Sequence, residues 1–362
     1  MDFYLRPTGF IESPQQHDGA SARLAGGMLW FTQIEVIDKT GAATTRELVD
    51  LRGWDSFVGG MPTDKQSRCN LLYGRMTSPR ALLTMGERTI RLDQPQVMGI
   101  INMTPDSFSD GGKNPDIEAA ASAAIAMSSA GAAIIDVGGE STRPGAPLVW
   151  EGDEIKRVEP LIQRLASAGT AVSIDTRKAA VMQAAIAAGV GMINDISALL
   201  FDDRGVEVAK AKGVPVVLMH APSQSSDPHK GGDYGDVVTD VFDWLEARVD
   251  AVEAAGIPRE KILVDPGIGF GKSLAENLSI INNLAIYHGL GCAILFGASR
   301  KRMIGALSNE APVEARLGGS VFLAMKAVEQ GAHILRVHDV LETVQAVQVW
   351  RGLRDAALTA RA

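Results

Sequence analysis

From about residue 96 onward the chain alternates, eight times over, between short apolar, β-branched runs and Ala-rich segments with helical spacing. The runs lie at 97–102, 133–138, 171–175, 191–196, 214–219, 262–267, 293–299 and 332–338. Near-continuous hydrophobicity of this kind, as in VPVVLM or AHILRVH, marks strands buried on both faces, as in a parallel sheet. Helical segments fall at 116–130, 151–168, 177–188, 202–212, 236–255, 273–288, 312–330 and 341–358. Six of them stop at a glycine (Gly131, Gly169, Gly189, Gly213, Gly256 and Gly331), the residue that accepts a left-handed backbone at a helix C-terminus. Eight strand–helix units in about 265 residues predict an α/β fold, a (β/α)8 TIM barrel over 96–362. A doubly wound open sheet is the runner-up. It is disfavoured because no strand leads into a G-x-G-x-x-G helix start with a ribose-binding acid downstream.

Residues 1–95 read differently. LWFTQIEVID (29–38) alternates like a strand, ERTIRLDQPQ (87–96) suits a hairpin arm closing the bottom of the barrel, and the stretch between shows no clear period. Trp30, Phe31, Ile34, Val36, Trp54, Phe57, Leu71, Leu72 and Tyr73 are too many apolar side chains for a flexible tail. We expect an N-terminal extension, 1–95, forming a small β-containing subdomain on the base or flank of the barrel. Its eleven Lys/Arg balance eleven Asp/Glu, so the net charge of −8 resides in 96–362. That excludes a broad nucleic-acid footprint and means that an anionic substrate must meet local cations. Cys69 and Cys292 match no metal or redox spacing and read as reduced thiols. No apolar run approaches 18 residues and the first residues lack a signal-peptide core, so we expect a cytoplasmic protein without a membrane span.

Polar residues gather where the predicted strands end: Asn102, Asp136, Asp175, Asn194, Asp265, Ser299 and His338. In a barrel that rim is the active face. INMTPDSFSDGG (101–112) reads as a strand and a turn-rich, mobile loop containing Phe108, with the Asn102 carbonyl suited to a hard cation or its amide to a phosphate. IIDVGGESTRPG (134–145) ends a strand at Asp136, then presents Thr142, Arg143 and Pro144 on a second loop. Asp136 suits either a substrate contact or a buried structural carboxylate, and we count it with the substrate set. Asp175, Asn194 and Asp265 suit general acid–base work or the donor edge of an amidine-like heterocycle, to which a carboxylate accepts two N–H bonds. Asp195 should point the other way. Arg300, Lys301, Arg336 and His338 bring cations to the ends of strands seven and eight, the habitual phosphate region of such barrels. His220 is left open between structural and functional roles. No Ser-His-Asp order, H-E-x-x-H or P-loop is present, which favours ligand reading over nucleophilic catalysis.

With these motifs in order, residues 97–350 resemble the dihydropteroate synthases. INMTPDSFSDGG and IIDVGGESTRPG look like the family's two signature segments, and their occurrence together with DPGIGFGK, SRK and RVHD is highly specific. The resemblance implies condensation of hydroxymethyl-dihydropterin pyrophosphate with p-aminobenzoate, releasing pyrophosphate, with Mg2+. It implies Asn102 as ligand of Mg2+ and pyrophosphate, with Thr142, Arg336 and His338 on the pyrophosphate. Asp175, Asn194, Asp265 and Lys301 would hold the pterin, with Met219 and Phe270 lining its pocket. Thr142, Arg143, Pro144, Ser299, Lys301 and the Phe108 loop would form the p-aminobenzoate side. Asn102, Asp265, Lys301, Arg336 and His338 are the expected catalytic set. The family is usually dimeric, and the segments 312–330 and 341–358 offer Ala- and Val-rich faces for a homodimer contact. Ala221, Ile268 and Ala298 depart from common family residues at no proposed contact, whereas 1–95 has no counterpart in the single-barrel form. A methyltetrahydrofolate–corrinoid methyltransferase and a non-catalytic pterin-binding barrel are the alternatives.

Overall fold

The computed structural model describes residues 2–40, 43–103, 113–143, 145–223 and 227–359, with residues 113–116 described by backbone alone. β1 (Phe3–Ile11) pairs antiparallel with β3 (Trp30–Asp38), the segment whose alternation predicts a strand. β2 (Ala22–Arg23) and β4 (Thr45–Asp50) take the other edge of β3. Two helices follow, α1 (Trp54–Gly59) and α2 (Thr63–Thr77). α2 buries Arg68 together with Cys69, Leu72 and Met76. Its core-facing stripe therefore contains an arginine, and that is why no apolar period was visible in this stretch. Arg68 meets Glu246 through two hydrogen bonds of 2.7 and 2.8 Å, Arg75 adds one of 2.9 Å, and the Tyr4 hydroxyl donates to Asp243 at 2.7 Å. These polar anchors fix the sheet and α2 against the flank of the barrel.

The hairpin β5 (Leu83–Met85) and β6 (Arg88–Ile90) plugs the barrel's lower end. Leu83, Met85, Ile90 and Leu92 pack into one buried cluster with Met98, Ile134, Met192, Leu263 and Leu295 from the barrel strands. The backbones come so close that a Cβ on Gly191 would lie 2.7 Å from Met85 Cα, so only glycine fits there.

The barrel consists of β7 (Gln96–Asn102), β8 (Ile134–Gly138), β9 (Val172–Asp175), β10 (Met192–Asp195), β11 (Val216–Met219), β12 (Ile262–Asp265), β13 (Ala293–Phe296) and β14 (Ile334–Val337). They run parallel in sequence order, and β14 closes on β7. Each lies within an expected run, give or take one residue. Around them stand α3 (Lys113–Ser129), α4 (Glu151–Ser167), α5 (Ala179–Ala187), α6 (Gly205–Lys212), α7 (Val237–Ala254), α8 (Leu274–Asn282), α9 (Arg302–Leu307), α10 (Leu317–Val328) and α11 (Val340–Thr359). All six expected glycine stops have positive φ. Two expected helices are broken. The 273–288 segment is α8, with Ser273 and Glu276 forming a capping box, followed by a 3-10 stretch over Leu284–Leu290. The 312–330 segment is a 3-10 turn at Val313–Ala315 and then α10. One continuous apolar core runs from the N-terminal sheet through the helix ring, and no described helix is long and apolar enough to cross a membrane.

Candidate active site

Toward the C-terminal rim one arginine bridges carboxylates from two neighbouring strands. Arg336, on β14, donates from Nε to Asp136 at 2.6 Å and from Nη2 to Asp175 at 2.7 Å. Asp136 is fully buried on β8 and also accepts from Asn194 Nδ2 at 3.0 Å, while its second oxygen accepts the Ser173 hydroxyl. With both oxygens engaged and no exposed surface, Asp136 orients Arg336 and Asn194. Ser173 was overlooked, although its place two residues before Asp175 puts both on one strand face. Burial pushes the Asp175 carboxyl up, to about 7, against the pull of Arg336. The carboxylates in turn hold the Arg336 guanidinium above its usual value despite its burial.

Across the rim, Asp265 ends β12 almost fully buried and accepts from the Gly267 amide at 2.7 Å. Burial raises its carboxyl, and Lys301 opposes the shift. Lys301, whose ammonium burial lowers to about 8, donates to the Ile268 carbonyl and stands 4.7 Å from the Phe270 ring centroid. Met219, paired with Asp265 across β11 and β12, forms a small apolar cluster with Ile196, Ala221 and Phe270. The loop between β12 and α8 folds back tightly: Gly267 has φ +71° and a Cβ there would lie 1.9 Å from the His220 carbonyl oxygen. Lys272 fastens this loop, donating to the carbonyls of Gly267 (2.9 Å) and Phe270 (3.2 Å) and to His220 Nδ1 (3.0 Å). Burial lowers Lys272 to about 7 and His220 to about 3, which leaves the imidazole a neutral acceptor. His220 thus helps to hold the β12–α8 loop through Lys272.

Ser299 and His338 meet at the ends of β13 and β14, the Ser299 hydroxyl lying 3.0 Å from His338 Nδ1 and accepting its backbone N–H at 3.1 Å. Burial, with Arg336 and Arg300 nearby, lowers His338 to about 4, so it is uncharged at neutral pH. Arg300 is neutralised by Asp339 (Nε to Oδ2, 3.0 Å). In this resting arrangement Arg336 faces carboxylates, His338 is neutral and Arg300 is paired outside the site, leaving Lys301 as the ammonium beside the pocket.

The loop after β8 is closed at its base by Glu140, which accepts from the Val149 amide (2.8 Å), Arg177 (2.7 Å) and Lys178 (2.6 Å). Thr142 is half-buried, its carbonyl 2.8 Å from His229 Nε2, and Arg143 is exposed. Pro144 and Phe108 lie outside the described residues. Asn102 ends β7 half-buried, its oxygen 3.5 Å from where a Cβ on Gly138 would sit. Among the described residues no three His, Cys, Asp or Glu side chains cluster as a metal cage. Asp195 points away as expected, accepting from Ser197 and Leu199 amides at 2.7 and 2.9 Å. Glu140, Ser173, His229 and Lys272 are the residues that sequence reasoning missed.

The rim of this parallel barrel offers buried carboxylates, an amide and an apolar wall, and residues 98–338 match the family described as pterin binding enzyme. The dihydropteroate synthase of Escherichia coli is 45% identical over 262 residues, 72% of this chain and 92% of that protein. A "probable bifunctional folylpolyglutamate synthase/dihydropteroate synthase" of Haloferax volcanii is 48% identical over 263 residues, 73% of this chain but 31% of that longer protein. The Xanthomonas albilineans dihydropteroate synthase solved with 4-aminobenzoic acid superposes with a TM-score of 0.72 at 44% identity, covering 76% of this chain and 98% of that one. The Yersinia pestis enzyme solved with a sulfonamide drug gives 0.70 at 44% identity, over 76% of this chain and 100% of that one. The chain belongs to the dihydropteroate synthase family.

Proposed function

We propose that the chain, as a dihydropteroate synthase, joins hydroxymethyl-dihydropterin pyrophosphate to p-aminobenzoate by an ionising substitution. The carrying observation is the rim constellation of Asp175 and Asn194 on the Asp136–Arg336 bridge, with Asp265 across the rim. Asp175, Asn194, Asp265 and Lys301 hold the pterin, against Met219 and Phe270. The bond from the pterin methylene carbon to pyrophosphate oxygen breaks with its electron pair leaving on the pyrophosphate, and the reduced ring carries the positive charge. The buried carboxylates stabilise that cation. The aniline nitrogen of p-aminobenzoate then forms the new C–N bond and gives one proton to solvent. Asn102, Thr142, Arg336 and His338 receive the pyrophosphate, the neutral imidazole serving as an N–H donor. Thr142, Arg143, Ser299 and Lys301, with Pro144 and Phe108 alongside, form the p-aminobenzoate side. The ligands of the Xanthomonas and Yersinia relatives support that assignment and make sulfonamides expected competitors.

Asn102 offers one neutral oxygen, and among the described residues no carboxylate cage surrounds it, a donor set that fits a Mg2+ ion arriving on the pyrophosphate and keeping most of its waters. When bound, the ion neutralises charge on the leaving group. Phe322, Leu341, Val349 and Leu353 stand more than half exposed on α10 and α11, an apolar face that supports a homodimer. Light scattering giving a monomer mass at micromolar concentration would reject that. Two free, buried cysteines fit a reducing compartment, and we assign the chain to the cytoplasm. Turnover decides the reading: pyrophosphate release is expected with pterin pyrophosphate and p-aminobenzoate together, and no demethylation of methyltetrahydrofolate. A folded protein that binds pterin without releasing pyrophosphate would be a non-catalytic barrel.

A further inference from the structure

His229 lies on the connection between β11 and α7, in a segment with no expected role. Its ring stacks nearly parallel on Phe270, with centroids 4.8 Å apart and an interplanar angle of 10°. The same ring's Nε2 is 2.8 Å from the Thr142 carbonyl, an oxygen that can only accept, so Nε2 carries a proton and donates it. Its backbone is itself fixed, the His229 amide donating to Asp227 at 2.9 Å. One side chain thus touches a wall of the pterin pocket and the backbone of the loop that carries Thr142 and Arg143.

We propose that His229 is a positioning residue that pins the p-aminobenzoate loop to the pterin wall. The inference rests on the functional reading above and goes beyond it, because it links the two substrate sides through a residue outside both. Glu140 closes the base of the loop, and nothing else described hydrogen-bonds the Thr142 carbonyl. Without His229 the loop must find its productive conformation upon each encounter with p-aminobenzoate, an ordering cost that appears in the affinity for that substrate. The pterin site keeps Asp175, Asn194 and Asp265 and is affected only through Phe270. The bond and the stack are separable by substitution. Gln carries an N–H donor the same number of bonds from Cβ as His Nε2, without the ring. Phe keeps the ring and lacks the donor.

The test is steady-state kinetics of the full chain and of His229→Gln and His229→Phe, each checked by thermal melting. A lost hydrogen bond of ordinary strength corresponds to a change of about 3- to 10-fold. We expect His229→Phe to raise KM for p-aminobenzoate by that factor, with kcat and KM for pterin pyrophosphate within about twofold of the parent. His229→Gln should restore most of the p-aminobenzoate KM. An unchanged KM in the Phe variant, or a Gln variant as impaired as Phe, overturns the proposal. A parent protein with no turnover would instead overturn the functional reading beneath it.

Discussion

Replacing Arg336 with Met probes the site most severely, because it leaves two carboxylates facing each other without their shared cation. Asp136 is fully buried, the Asp175 side chain is 10% exposed and the Arg336 side chain 21%. Removing one partner of a buried ion pair typically costs about 3–5 kcal/mol, far more than the bond contributes net, because the orphaned charge stays desolvated. The loss should depend on pH in a definite direction. In the parent, Asp175 is held up by burial at about 7 and restrained by Arg336. Without Arg336 its folded-state value climbs further, while the unfolded chain keeps an ordinary carboxyl. Above pH ~7 the folded variant therefore retains a proton that the folded parent has released, and variant stability falls with rising pH by at most about 1.4 kcal/mol per unit. Denaturant unfolding followed by tryptophan fluorescence at pH ~6 and ~8.5 should show a deficit that widens toward the higher value. A deficit under about 1 kcal/mol, or one that widens toward acid, would mean that Arg336 does not compensate these two buried carboxylates. The geometry also predicts that Arg336→Met weakens pterin binding along with pyrophosphate binding, because Arg336 orients Asp175.

Asp265→Ala should weaken pterin binding by up to ~10^4-fold, since a buried donor edge loses its acceptor; calorimetry with a free pterin showing less than tenfold loss would contradict this. Glu140→Gln should lower the melting temperature and raise KM for p-aminobenzoate more than that for pterin pyrophosphate, and equal changes in both would count against its role as the loop's clasp. Deleting residues 1–85 should reduce melting temperature or solubility, because Glu246 and Asp243 lose their partners and apolar surface on α7 is uncovered, with Michaelis constants nearly unchanged. A stable truncation with a much raised KM for p-aminobenzoate would instead assign the extension to the active site.

The barrel was legible because parallel strands buried on both faces read as near-continuous apolar runs, in which the few polar residues lie toward the C-terminal ends, as in VSID, MIND and ILVD. Asn102, Asp175, Asn194, Asp265 and His338 could therefore be placed at one end of the molecule before any contact was known. Their charges could not. The sequence shows four basic side chains near strands seven and eight, but Asp339 neutralises Arg300 and burial discharges His338. Both effects depend on three-dimensional neighbours. In the extension, Pro7 and Gly9 disguised β1, which is an edge strand where a proline is tolerated. α2 was hidden because its buried stripe includes Arg68, whose partner Glu246 lies far along the chain. His229 gave no signal at all, since both of its contacts cross between loops.

One rim pocket should hold pterin and pyrophosphate together around the Asp136–Arg336–Asp175 bridge. A crystal structure of the protein with a pterin, pyrophosphate and Mg2+ tests it most directly. The pterin's donor edge should lie within hydrogen-bond reach of Asp265, Asn194 and Asp175, with pyrophosphate beside Asn102, Thr142 and His338. A pterin bound away from those three side chains, or pyrophosphate on the far side of the barrel mouth, would contradict it.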